Sequence, residues 1–139
     1  MRCRIVPRLL ITLVSALLAA CASASLPTSP RVFFASPTDG ATVSSPVHVT
    51  LGAEHFTVEP AGAVKPGAGH LHIAVDAPCL AAGSVIPKDA QHLHYGKAQM
   101  AADLELTPGQ HTLCLQAADG AHTALAGDGL TQQINLTVK

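Results

Sequence analysis

In Gly69-His70-Leu71-His72-Ile73-Ala74-Val75-Asp76, branched apolar residues alternate with histidines at a period of two. That is the period of a β-strand, so Leu71, Ile73 and Val75 share one face and His70, His72, Ala74 and Asp76 the other. The apolar set is expected to face a core and the histidines to face outward. The same alternation recurs in Val47, Val49 and Leu51, in Leu113 and Leu115, and in Ile134, Leu136 and Val138; Cys114, lying between the two leucines, joins the outward set. Working outward, the chain reads as strands at Arg31 to Ala35, Pro46 to Leu51, His55 to Val58, His70 to Asp76, Ala98 to Leu106, Gln110 to Ala117 and Thr131 to Val138. Turn pairs such as Asp39-Gly40 and Pro108-Gly109 punctuate them, and no helical stretch stands out beyond the N-terminal segment. Seven short strands predict an all-β sandwich over residues 31–139, with a long loop, Ala77 to Lys97, between the middle strands.

That loop carries a second His-x-His pair, His92-Leu93-His94. Alternate strand residues point the same way, so each pair can present two imidazoles to one side, and four converging imidazoles are the composition of a zinc or copper site.

At the N-terminus, Arg2, Arg4 and Arg8 precede a nearly unbroken apolar run from Leu9 to Ala20. The run is too short to cross a bilayer, which takes about 20 residues, and has the flanks of a signal peptide. Leu18-Ala19-Ala20-Cys21 resembles the lipobox of bacterial lipoproteins, which implies a signal peptide over residues 1–20, lipidation of Cys21 and a tether over residues 21–30. The alternative is cleavage after Ala24 and a soluble periplasmic protein. Either way the expected address is the cell envelope, with the periplasmic face of the membrane as the anchored location.

Removal of the signal leaves five basic against nine acidic residues, a net charge of −4 with neutral histidines. Nucleic acid is therefore not an expected partner, since phosphate binding needs clustered Lys and Arg. With no Trp, one Tyr and three Phe, the core must be built from Val, Leu, Ile and Ala. Cys3 leaves with the signal and Cys21 is the candidate lipid carrier, so Cys79 and Cys114 are the only two cysteines in the domain. An oxidising compartment favours a disulfide between them, closing a loop of roughly 35 residues. The other reading makes both thiols ligands of a soft copper(I) site beside the histidines.

LTPGQHTLCLQAADG followed by QQINLTV resembles the last two strands of immunoglobulin-like domains in bacterial surface proteins. This implies that GHLHIAVD pairs with GQHTLCLQ in one sheet, which puts Cys114 on the face of His70 and His72. A Cys79–Cys114 bond would then pin the long loop against that face, where the two histidine pairs can meet. More specifically, FFASPTDGATVSSPVHVTLG, FTVEPAGAVKPGAGHLHIAVD, IPKDAQHLHYGKAQ and LTPGQHTLCLQAADGAHTAL resemble the bacterial domain of unknown function 4399. The resemblance runs from Phe33 to Val138 and includes His70, His72, Asp76, Asp89, His92, His94, Lys97, Gln99, His111 and His122. Tyr95 stands where that family usually has Phe, and Ala98 stands where its GKGQ stretch has a second Gly. The resemblance implies an exported β-rich domain and leaves the activity to be argued from the site.

The metal reading takes His70, His72, His92 and His94 as ligands of copper or zinc, with His122 or His111 as further candidates and Asp76 or Asp89 orienting a ring from behind. No cofactor other than such an ion is expected. In the competing reading the domain is structural or interacting, and its histidines bond backbone carbonyls to pack the loop. For His111 that bland role is the expected one, because it sits where immunoglobulin-like domains carry a corner Tyr bonded to the backbone. The chain has no nucleophile elbow and no phosphate-cradling glycine loop, so it reads as a binding module and not as an enzyme.

Overall fold

The structure, a computed structural model, describes residues 28–139. The signal segment, Cys21 and most of the tether lie outside the described residues. The strands are β1 (Arg31–Ser36), β2 (Thr42–Val43), β3 (Val47–Glu54), β4 (Thr57–Val58), β5 (Ala68–Val75), β6 (His92–Tyr95), β7 (Ala101–Leu104), β8 (Gly109–Ala118) and β9 (Thr131–Val138). One 3-10 turn, Asp128–Leu130, leads into β9, and the described residues contain no α-helix.

The strands form two sheets. β1, β3 and β7 make one; in the other, β2, β9, β8 and β5 lie side by side, and β4 and β6 both pair with β5. The fold is all-β and sandwich-like, as the alternation predicts. Val47, Val49 and Leu51 of β3 bury against Leu71 and Ile73 of β5, Leu113 and Leu115 of β8, and Ile134 and Leu136 of β9 in one core. Each Leu or Ile removed from water there stabilises by about 1.5–3 kcal/mol, which is how a chain so poor in aromatics fills its interior.

β5 and β8 run antiparallel, and their register sets the outer face of the larger sheet: Ala74 lies opposite Cys114, His72 opposite Gln116 and His70 opposite Ala118. Cys79 and Cys114 form the disulfide, with Cα atoms 5.5 Å apart. Their sulfurs are thereby bonded to each other, which removes the thiol-ligand alternative.

The strands expected at His55 to Val58 and Ala98 to Leu106 are shorter, because His55 and Ala98 have left-handed backbones, and β2 has no counterpart in the alternation. Two further departures shape the site. His92–Tyr95, expected within a loop, is strand β6, antiparallel to β5 with His94 opposite His72 and His92 opposite Ala74. The outward face of β5 is also not solvated: every residue from Ala68 to Ala74 is buried. The reason is a small second apolar cluster, Ile86, Ala118 and Ala124 with Leu80 packed on it, which brings the segment after β5 down over that face. Gln116 fixes the segment there by a two-point bond to Leu80, accepting from its N–H at 3.0 Å and donating to its carbonyl at 2.7 Å.

Candidate metal centre

β5 supplies His70 and His72, two positions apart on one face, and β6 supplies His94 directly across from His72. The fourth ring comes from the turn after β8. Asp119 organises that turn: its carboxylate accepts N–H bonds from Ala121 and Thr123, both at 2.8 Å, and its carbonyl accepts one from His122 at 3.1 Å. His122 sits there in the left-handed region, φ 67°, which few residues other than Gly, Asn, Asp and His tolerate. Ile86 donates its N–H to the His122 carbonyl at 2.9 Å, so the segment over the sheet face also holds this turn.

The four rings form one cluster. Ring centroids lie 4.8 Å apart for His70 and His72, 4.9 Å for His70 and His94, 4.8 Å for His70 and His122, 5.0 Å for His72 and His94, and 4.7 Å for His94 and His122. Nε2 of His72 is 2.9 Å from Nε2 of His70, and Nε2 of His122 is 3.2 Å from Nε2 of His94. Ligating nitrogens of His70, His94 and His122 all lie within 4.8 Å of one another. A tetrahedral zinc with arms of 2.0–2.1 Å needs neighbouring nitrogens about 3.3–3.4 Å apart. The two close pairs, at 2.9 and 3.2 Å, are near that spacing, and the three nitrogens that lie within 4.8 Å of one another belong to His70, His94 and His122, with His72 joined to the group through His70.

Two glycines make room for this arrangement. A Cβ on Gly96 would collide with the His94 ring, so the imidazole folds back over a position that must lack a side chain. A Cβ on Gly120 would meet the carbonyls of Gly62 and Ala63, and Gly62 donates to the Gly120 carbonyl at 2.9 Å. The loop between β4 and β5 therefore closes against the His122 turn.

The surroundings favour neutral rings. Burial, then the neighbouring His122 and His94, pushes His70 from its ordinary 6.5 down to about 4. His72 is pushed to about 3, by burial first and then by His70, His94 and His122. His94 is lowered as well, by burial, His122 and Lys88. Neutral imidazoles are the form that binds a metal. Any hydrogen bond between two Nε2 atoms also needs a proton on one and a lone pair on the other. An ion set among His70, His94 and His122 would receive a lone pair from each.

The remaining expected residues lie elsewhere. His92 occupies the next row, opposite Ala74, and its Nδ1 donates to Asp89 at 2.8 Å. Asp89 also accepts from the backbone N–H of Gln91 and His92, so it orients the start of β6. His92 Nε2 is buried and has no hydrogen-bond partner among the described residues. His111 donates from both nitrogens, to the Thr107 carbonyl and to Asp76, each at 2.8 Å. These two bonds raise its pKa, and both of its nitrogens are already engaged. Asp76 thus orients His111 and accepts from Thr112 N–H, in place of serving His72. The sequence reading did not single out Asp119, Gly96, Gly120 or Gln116; the Asp119-Gly120 pair is a turn signal that marks His122's setting.

A cavity of about 530 Å³ opens away from the cluster, along β8 and β9, lined by Asp76, His111, Thr112 and Asn135. Its charged groups already satisfy each other, so the chemistry lies with the imidazoles.

A family model described as "Domain of unknown function (DUF4399)" matches residues 49–139. The chain belongs to this family. No curated protein and no solved structure matches the chain. All four clustered histidines fall inside the DUF4399 match, as do both cysteines of the disulfide.

Proposed function

We propose that the domain is a non-catalytic binding module of the cell envelope that holds a copper or zinc ion through His70, His72, His94 and His122. One observation carries this reading: four imidazoles from two adjacent strands and one turn meet with close nitrogen pairs at 2.9 and 3.2 Å. Imidazole suits both metals. His122 takes the place that the sequence alone assigned to His92, because β6 turns His94 into the cluster while His92 falls one row further along. The envelope address rests on the basic start, the apolar run and the Leu18-Ala19-Ala20-Cys21 stretch.

The test is elemental analysis and chelator competition on untagged protein. The wild type should retain close to one equivalent of copper or zinc, His122→Ala should lose at least tenfold in affinity, and His92→Ala should lose less. Retention of under a tenth of an equivalent by the wild type, unchanged by added metal, ends the proposal. For the address, Cys21→Ala should move the protein from the membrane to the soluble fraction; an unchanged distribution would favour cleavage after Ala24.

A further inference from the structure

We infer that the Cys79–Cys114 disulfide is a redox clamp on the metal site, so that its reduction loosens His122 and weakens metal holding. The inference rests on the metal reading above and adds a control to it. The segment Cys79–Ile86 is attached at one end to the sheet, by the disulfide to Cys114 and by the Gln116 bonds to Leu80. At its other end it is attached to the turn that carries His122. Gly83 donates to the Ala124 carbonyl at 2.9 Å, Ala124 to the Ser84 carbonyl at 2.8 Å, and Ile86 to the His122 carbonyl at 2.9 Å. Val85 and Thr123 complete an antiparallel bridge between the two.

His122 is thus the ligand whose place depends on this strap, whereas His70, His72 and His94 stand on strands of the sheet. Its left-handed backbone is held by Asp119 from within the turn and by Ile86 from the strap. The apolar contact beneath the strap is small, Leu80 and Ile86 on Ala118 and Ala124, and cannot by itself fix the segment firmly.

The redox step is thiol–disulfide exchange with a dithiol reductant. Cys79 is half-buried and Cys114 fully buried, so a reductant thiolate attacks the Cys79 sulfur. Cys114 leaves as a thiolate and takes up a proton. The second reductant thiolate then attacks its own sulfur in the mixed bond and releases Cys79. The protein gains two electrons and two protons, and the reductant becomes a disulfide. Outer-shell supports of a metal ligand typically govern 10–100-fold in affinity.

The experiment compares Zn(II) and Cu(II) affinity by chelator competition in the disulfide-bonded wild type, in Cys79→Ser/Cys114→Ser, and in both backgrounds carrying His122→Ala. Serine removes the bond without adding thiolate ligands. The expected result is at least a tenfold loss in the serine variant that disappears once His122 is gone. A folded serine variant binding as tightly as the wild type overturns the clamp and leaves the metal reading standing. A wild type that binds neither metal overturns both. If the serine variant does not fold, amide exchange on wild type with and without dithiothreitol decides instead. Exchange at Gly83, Ile86 and Ala124 should rise at least tenfold on reduction, and unchanged exchange overturns the clamp.

Discussion

Lowering the pH from 7 to 5 should reduce the stability of the metal-free domain by about 2–4 kcal/mol, because the imidazole cluster refuses protons that the unfolded chain accepts. His70 is held at about 4 and His72 at about 3, against an ordinary value of 6.5. Between 6.5 and 5 each ring gains a proton on unfolding and stays neutral when folded. Stability therefore rises with pH across that window and is lost as pH falls. At about 1.36 kcal/mol per unit, 1.5 units across two rings give roughly 4 kcal/mol as an upper bound, and solvent entering at the β6 edge trims it. His111 works in the opposite sense: its raised pKa gives stability present below 6.5 and lost as pH rises through the folded value. The lowered carboxylates Asp76 and Asp89 lose their contribution only in stronger acid, below this window. Urea unfolding at pH 7, 6 and 5, with chelator present, measures the slope. His70→Leu/His72→Leu should flatten it to under about 1 kcal/mol over the same range. A wild type as stable at pH 5 as at pH 7, or a double variant with the same slope, would refute the assignment of clustered, buried, neutral rings.

Two substitutions probe the turn after β6. Ala98 has φ 60°, a left-handed conformation that costs a residue with a Cβ about 1–2 kcal/mol, so Ala98→Gly should raise the urea midpoint by an amount worth about 0.5–1 kcal/mol after the added freedom of unfolded Gly is counted. An unchanged or lower midpoint would count against that backbone. Gly96→Ala drives its new methyl into the His94 ring, so chelator competition should show at least a tenfold loss of metal affinity, in line with a displaced ligand, with under about 1 kcal/mol change in unfolding. Unaltered affinity would mean that His94 is not seated over Gly96.

The strands that carry the core were legible because burial on one face enforces a period of two: Leu71 and Ile73 point inward wherever β5 is paired. β6 was not, because four residues with two histidines and a half-buried pattern carry little strand signal and need β5 as a template. The closure of the outer face was hidden for another reason. Leu80, Ile86 and Ala124 are scattered along two connections without periodicity, Ala118 ends β8, and only the folded chain unites them. His122 was marked as a candidate, yet its entry into the cluster depends on a left-handed backbone set by Asp119 and Ile86, which no local pattern of apolar residues encodes.

The cluster works against the stability of the metal-free fold, and that bears on why it is there. Among the described residues Nδ1 of His70 and of His72 is buried without a partner, and each such group costs on the order of 1–3 kcal/mol. Apolar side chains of similar volume would fill the same space between β5, β6 and the His122 turn without that penalty and without the loss in acid. His111 shows what packing alone can supply, a carboxylate on one nitrogen and a backbone carbonyl on the other, whereas His92 has a carboxylate on Nδ1 and, among the described residues, no partner on its buried Nε2. In the cluster the ring nitrogens face one another, and no carboxylate bonds them. A bound ion reverses the balance, since anything that binds only the folded state adds about 2.7 kcal/mol of stability at a hundred times its dissociation constant. The Nε2 atoms that crowd together in the metal-free fold are thus the ones that an ion would use, while the Nδ1 atoms of His70 and His72 keep their cost.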